Sequence, residues 1–228
     1  MSKPHELAKY LEWDVRNWAV AVDFWLARSK QCLSECTVLE VGSNRGALSS
    51  WLALQGARVV HSDFNGTKQE AIDRHKADGV SHLIEYQTID ATDIPYTDHF
   101  DIVVFKSVLG AIDNGVKESQ ATAIGQMHKA LKKGGELFFA ENAVGSPMHM
   151  YLRRKMIKWG NWWRYVTIEE MKEFLAPFSE TEFKAIGFAG TLGRTDAQRD
   201  LLARVDSLLF EHVVPDNWKY IIAGVARK

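Results

Sequence analysis

Residues 38–49 read VLEVGSNRGALS. Val38, Leu39 and Val41 make a short apolar run. Gly42 and Gly46 follow, and then the helix-forming stretch ALSSWLAL. The pattern is strand, glycine turn, helix. In an open α/β sheet such a turn lies beyond the carboxyl end of its strand, where ligands bind. A dinucleotide turn needs G-x-G-x-x-G, but Asn44 and Ala47 stand where its second and third glycines belong. A phosphate loop needs Lys-Ser or Lys-Thr after its last glycine, and neither follows Gly46.

Outward from this turn, apolar runs alternate with helical patterns. TVLEV (37–41), ARVVHSD (57–63), HLIEYQTID (82–90), FDIVVFKS (100–107) and ELFFAEN (136–142) read as strands. Helices are expected over GALSSWLALQG (46–56), GTKQEAIDRHKADG (66–79) and ESQATAIGQMHKALKKGG (118–135). TIEEMKEFLAPF follows as another helix, opened by a Thr167–Glu170 capping box. ETEFKAIGFAG and WKYIIAGVARK read as two last strands, with a helical insertion at 191–216 between them. This alternation predicts an α/β three-layer sandwich around a mostly parallel seven-stranded sheet. We read residues 1–228 as a single domain, with a helical N-terminal segment at 1–35 and a core at 36–190. In the first segment Leu11, Val15, Trp18, Val22 and Trp25 recur at the spacing of one helix.

Composition narrows the function. The formal net charge of the 228 residues is -1, so no global basic field for nucleic acid exists. No apolar run is long enough to span a membrane, and MSKPHELAKY lacks the apolar region of a secretory signal. The location expected is the cytoplasm. Cys32 and Cys36 are spaced for one helix face and lack a second pair to complete a zinc site, so no metal is expected.

Glu40-Val41-Gly42-Ser43-Asn44-Arg45-Gly46 resembles motif I, [ED]-x-G-x-G-x-G, of the class I S-adenosylmethionine-dependent methyltransferases, with Asn44 for the middle glycine. The resemblance spans roughly 36–190 and includes LKKGGELFFAE before the fifth strand. It implies a Rossmann-like fold and S-adenosylmethionine as cofactor. Glu40, Gly42, Ser43, Asn44 and Gly46 would lie along its methionine part. Asp63, at the tip of the second strand, would accept from the ribose hydroxyls, with Phe64 beside it. Asp90, or else the nearby Asp93, would meet the adenine amino group and Ala91 a ring nitrogen. Lys106 ends the fourth strand and faces the same site; a second cation beside the sulfonium would be repelled, so Lys106 either points away or answers a negative group on the acceptor. Trp13, Arg16, Asn17 and Trp18 are candidates for a segment that closes over the cofactor.

The reaction implied is in-line displacement at a methyl carbon. The protein aligns a nucleophile and excludes water, and a hydroxyl acceptor also needs a base. Glu141 and His149 are the candidate bases. The stretch YLRRKMIKWGNWWRY, within a segment at 143–166, suggests an acceptor cover: Arg153 and Arg154 for an anion, Trp162 and Trp163 as aromatic walls. The same stretch leaves peripheral membrane contact open, or plain packing of an amphipathic helix. Phe105-Lys106-Ser107-Val108-Leu109 lacks the [DNS]-P-P-[YFW] and Pro-Cys motifs of DNA methyltransferases and the Asp of metal-dependent catechol enzymes. Gly110 and Ala111 replace a histidine frequent in small-molecule enzymes. The tryptophan-rich front and NWWRY weakly resemble methyltransferases of bacterial surface-polysaccharide assembly. That implies O-methylation of a glycan, such as the acidic sugar 3-deoxy-manno-octulosonic acid. Natural-product O- or N-methylation, or a non-catalytic binding module of the same fold, are the alternatives.

Overall fold

A computed structural model describes residues 4–156 and 163–228. The strands are β1 Thr37–Val41, β2 Arg58–Asp63, β3 Ile84–Thr88, β4 Phe100–Lys106, β5 Leu131–Asn142, β6 Glu180–Ile186 and β7 Ile221–Arg227. They form a seven-stranded sheet in the order β3-β2-β1-β4-β5-β7-β6. Neighbours among β1–β5 run parallel, while β7 is antiparallel to both β5 and β6. The strand order reverses between β1 and β4, so a crevice opens at the carboxyl ends of β1–β4.

The helices are α1 Pro4–Leu11, α2 Val15–Arg28, α3 Ala47–Leu54, α4 Gln69–Ala77, α5 Lys117–Ala130, α6 Pro147–Met156, α7 Ile168–Phe174 and α8 Asp196–Val205. Strand side chains alternate between two cores, which makes both sheet faces apolar. Val38, Ile102, Val104, Phe138 and Ala223 pack on one face with Trp18 and Trp25 of α2 and Leu48, Trp51 and Leu52 of α3. Leu39, Val103, Phe105, Leu137 and Phe139 pack on the other with Ile124 and Met127 of α5 and Met171 of α7. The sandwich expected from the alternation of elements is the one observed.

Local departures have physical causes. The N-terminal segment is two helices, not one, because Glu12 and Asp14 take left-handed φ of 65° and 45°. The buried Asp14 carboxylate accepts from Tyr220 and Asn17, and Asn17 also donates to Asp206 at 3.0 Å. This polar cluster fixes the break in place and ties α2 to β7 and to the segment after α8. Helix α5 stops at Ala130, earlier than expected, and Leu131 already pairs with Phe100 as strand. Cys32 and Cys36 do not share a helix face; a 3-10 turn, Leu33–Glu35, lies between an exposed and a buried free thiol. Both capping boxes are formed, the expected one at Thr167–Glu170 and a second at Thr195–Gln198 that opens α8.

Candidate active site

A cavity of about 790 Å³ occupies the crevice, a size that suits a small ligand. At its floor the β1 tip contributes Glu40, Gly42, Ser43 and Asn44, and β2 contributes Asp63 with Phe64. Asp90, Ala91 and Thr92 follow from the loop after β3, and Lys106 from the tip of β4. The expected cofactor residues therefore converge on one space, with Gly46 the exception. Of the two aspartates after β3, Asp90 lines the cavity and Asp93 does not.

The two glycines of the turn answer to the protein's own packing. A Cβ on Gly42 would lie 2.6 Å from Val108 Cγ2 in the loop after β4, and its φ is +69°. A Cβ on Gly46 would reach Ala71 of α4 at 2.9 Å, and its φ is +74°. The carbonyl of Gly46 contacts His75 Nε2 at 2.9 Å. The expectation that Gly46 touches the ligand is thus corrected: it lets α4 close on the turn. Gly42 lines the cavity, but the space its missing side chain frees is filled by Val108.

Charge in the cavity is arranged by burial. Glu40 is buried, accepts from Ser49 Oγ, and burial pushes its carboxyl up to about 7. Asp63 accepts from the backbone N–H of Asn44 at 3.1 Å and of Asn65 at 3.0 Å. Those bonds aim the carboxylate along the rim. Asp90 Oδ1 accepts from Thr92 N and Oγ1 at 2.8 and 2.7 Å, which closes the loop after β3. The Lys106 ammonium lies over the Trp18 ring, 4.6 Å from its centroid, and burial holds its pKa below the ordinary lysine value.

Both candidate bases sit outside the cavity. Glu141 is fully buried and accepts from the backbone N–H groups of Val108, Leu109 and Asn142 at 2.8, 2.7 and 2.8 Å. It holds the loop after β4 from behind, and burial pushes its carboxyl up to about 7. His149 is buried with both ring nitrogens engaged: Nδ1 accepts from Ser146 N at 3.0 Å, and Nε2 meets Phe188 O at 2.8 Å. Both are internal struts, which corrects their reading as bases.

The cover also divides. Arg153 is buried; its guanidinium donates to the carbonyls of Ala143 and Val144 at 2.7 and 3.0 Å and stacks 4.0 Å from the Tyr165 centroid. Arg154 is exposed and lines no part of the cavity. The anion-binding role expected of this pair is corrected accordingly. Trp162 lies outside the described residues. Trp163 does line the cavity. It sits so close over Gly110 that a Cβ there would fall on the indole. Arg164 N donates to Gly110 O at 3.0 Å, and Arg164 Nη1 donates to Gln120 Oε1 at 2.6 Å. Gly110 thus makes room for a tryptophan from a distant segment.

Sequence reasoning missed Tyr10 and Glu12 at the end of α1, and Ala111, Ile112, Asp113, Asn114 and Ser119 beyond β4, all of which line the cavity. The N-terminal residues it named do other work. Trp18 and Asn17 are buried, Arg16 pairs with Asp200 at 2.8 Å, and Trp13 lies under Arg199. Arg74 of α4 joins this rim, donating to Lys9 O, Glu12 Oε1 and Arg45 O at 3.0, 3.0 and 3.1 Å.

The sheet order and the helices on both faces are those of the class I S-adenosylmethionine-dependent methyltransferase fold, and residues 39–139, less than half of the chain, match the family described as methyltransferase domain. Among curated proteins, a ubiquinone biosynthesis O-methyltransferase of Pseudomonas syringae pv. tomato is 31% identical over 106 residues, 45% of this chain. The match spans 43% of that relative's length. Among solved structures, an S-adenosylmethionine-dependent methyltransferase from Mesorhizobium loti shares the fold at a TM-score of 0.61 and 17% identity, over 92% of this chain and 97% of that one. Phosphoethanolamine N-methyltransferase 2 of Haemonchus contortus, solved with S-adenosyl-L-methionine, gives a TM-score of 0.64 at 15% identity, over 99% of this chain and 57% of that one. Among the described residues no cluster suited to a metal ion occurs, and no helix is long and apolar enough to cross a membrane.

Proposed function

We propose that this protein methylates an oxygen of a small-molecule acceptor, with S-adenosylmethionine as donor. The observation that carries the reading is the single cavity joining the Asp63 and Asp90 rim to an aromatic wall, Trp163, past the tip of β4. Glu40, Gly42, Ser43 and Asn44 would hold the methionine part, Asp63 the ribose and Asp90 with Ala91 the adenine. These residues fit the cofactor: acceptors stand where hydroxyl and amino donors would come, and the rim is preformed by its own hydrogen bonds. The cofactor when bound supplies an activated methyl group. The protein aligns the acceptor against Trp163 and keeps water out. The likeness to an O-methyltransferase favours oxygen as the atom methylated.

A glycan acceptor is a second reading, favoured by Asp113, Asn114 and Ser119 lining the same cavity as the indole. Hydroxyl partners and an aromatic face suit a sugar. The case for an acidic sugar loses Arg153 and Arg154; the cations that line the cavity among the described residues are Arg45, Lys68 and Lys106. The free thiols Cys32 and Cys36 suit a reducing compartment such as the cytoplasm. A screen with methyl-labelled cofactor against phenols, aliphatic alcohols and glycans tests the reading. Transfer to amines only would refute oxygen methylation, and cofactor binding without any transfer would favour a binding module.

A further inference from the structure

Lys106 is the last residue of β4. The register Val41↔Phe105 puts it beside Gly42, at the part of the turn proposed to hold the methionine portion of the cofactor. Its side chain lines the cavity and its ammonium lies on the Trp18 ring. Among the described residues it forms no ion pair and no hydrogen bond through its side chain. The carboxyl groups that face it are Glu12 from the end of α1, Asp14 from the α1–α2 break, Glu40 from β1 and Glu141 from β5. Each is committed elsewhere: Glu12 to Arg74, Asp14 to Tyr220, Glu40 to Ser49 and Glu141 to three backbone N–H groups. A primary amine thus stands in the reaction space with its donors unclaimed.

We propose that Lys106, as the neutral amine, takes the hydroxyl proton of the acceptor, and that it reaches this form when the sulfonium cofactor enters beside it. The inference rests on the methyltransferase reading above. Two cations in one poorly hydrated cavity repel strongly, because the interaction falls with distance and with dielectric constant. Burial already disfavours the ammonium, so the arriving sulfonium releases its proton to solvent. In the transfer, the acceptor oxygen forms a bond to the methyl carbon. The carbon–sulfur bond breaks and its electron pair stays on sulfur, leaving a neutral thioether. The hydroxyl proton goes to Lys106 Nζ. The cavity holds one positive charge before the step, on sulfur, and one after it, on nitrogen. Lys106 is unprotonated when the donor is loaded and charged again when the product thioether remains.

The test needs no acceptor. S-adenosylmethionine and S-adenosylhomocysteine differ in the sulfonium but share the amino acid and nucleoside. Calorimetric titration of each in phosphate and in Tris at pH 8, buffers of different protonation enthalpy, counts the protons exchanged on binding. The wild type should release at least half a proton more with S-adenosylmethionine than with S-adenosylhomocysteine. Lys106→Met, which keeps an apolar stem on Trp18, should bind both ligands and lose that difference. Lys106→Arg should lose it as well, because guanidinium keeps its proton. It should also fail to turn over any acceptor found in the screen, whereas a merely charge-pairing role would leave the Arg variant active. An equal proton count for the two ligands in the wild type, or a difference that persists in Lys106→Met, would overturn the inference and leave the methyltransferase reading intact. Absence of binding of either ligand to the wild type would overturn both.

Discussion

Gly110→Ala tests how the aromatic wall is built. Gly110 is not in the left-handed region, so alanine meets no backbone penalty there. Its new methyl would fall on the Trp163 indole. Overpacking of this kind costs about 1–3 kcal/mol, and in a chain of this size each kcal/mol lowers the Tm by about 2–4 °C. The cost should vanish once the indole is gone. In a Trp163→Ala background, Gly110→Ala should be neutral, or stabilising by up to about 1 kcal/mol through reduced unfolded-state entropy. Urea unfolding of the wild type, both single variants and the double variant gives the coupling, expected at about 1–3 kcal/mol. Acceptor KM should rise in Gly110→Ala, because the indole must leave the cavity wall, while S-adenosylmethionine affinity stays near that of the wild type. An equal destabilisation by Gly110→Ala in both backgrounds would refute the assignment of Gly110 as the seat of Trp163.

Asp63→Ala should weaken S-adenosylmethionine binding by about 1.5–3 kcal/mol, the range for bonds to a charged group, or roughly 10- to 150-fold in Kd; a titration within threefold of wild type would count against Asp63 as the ribose acceptor. Arg153→Ala should cost about 1.5–3 kcal/mol of stability, because two buried carbonyls lose a charged donor, and should leave acceptor KM unchanged; a raised KM with an unchanged melting temperature would restore it to the acceptor site. His149→Ala should lower stability, and the folded fraction should keep its kcat; loss of kcat at full stability would return it to the chemistry. Burial raises the Asp14 carboxyl to about 7. Its contribution to stability is therefore complete below pH 4 and lost as pH rises to about 7, at no more than about 1.4 kcal/mol per unit. Asp14→Asn, which suits the left-handed backbone there, should flatten this slope in melting curves, and an unchanged slope would show that other groups set it.

The sheet was legible because buried strands are short apolar runs, and β1 at Thr37–Val41 begins and ends where the sequence places it. The cavity rim was legible for a related reason: parallel strands bring their carboxyl ends to one edge, so Asp63 of β2 and Lys106 of β4, on either side of β1, line one cavity by topology. The break at Glu12–Asp14 was not legible. The apolar period runs unbroken from Leu11 to Trp25, and nothing in it records left-handed backbone at two polar positions. Glu141, His149 and Arg153 misled because residue type signals chemistry only where a side chain reaches a cavity. Here the burial that raises or lowers their pKa also turns them to backbone partners. The Trp163–Gly110 contact joins residues 53 positions apart, and a missing side chain leaves no mark of what fills its place.

The glycine turn has a practical consequence for protein engineering. It reads as a contiguous cassette, yet each of its two glycines is complementary to a residue elsewhere in the chain: Gly42 to Val108 and Gly46 to the Ala71–His75 face of α4. A loop transplanted from a methyltransferase of different sequence would arrive without its mould. A graft of residues 40–46 should succeed only if positions 71, 75 and 108 travel with it, which makes the smallest exchangeable unit a discontinuous patch on three elements, not a heptapeptide.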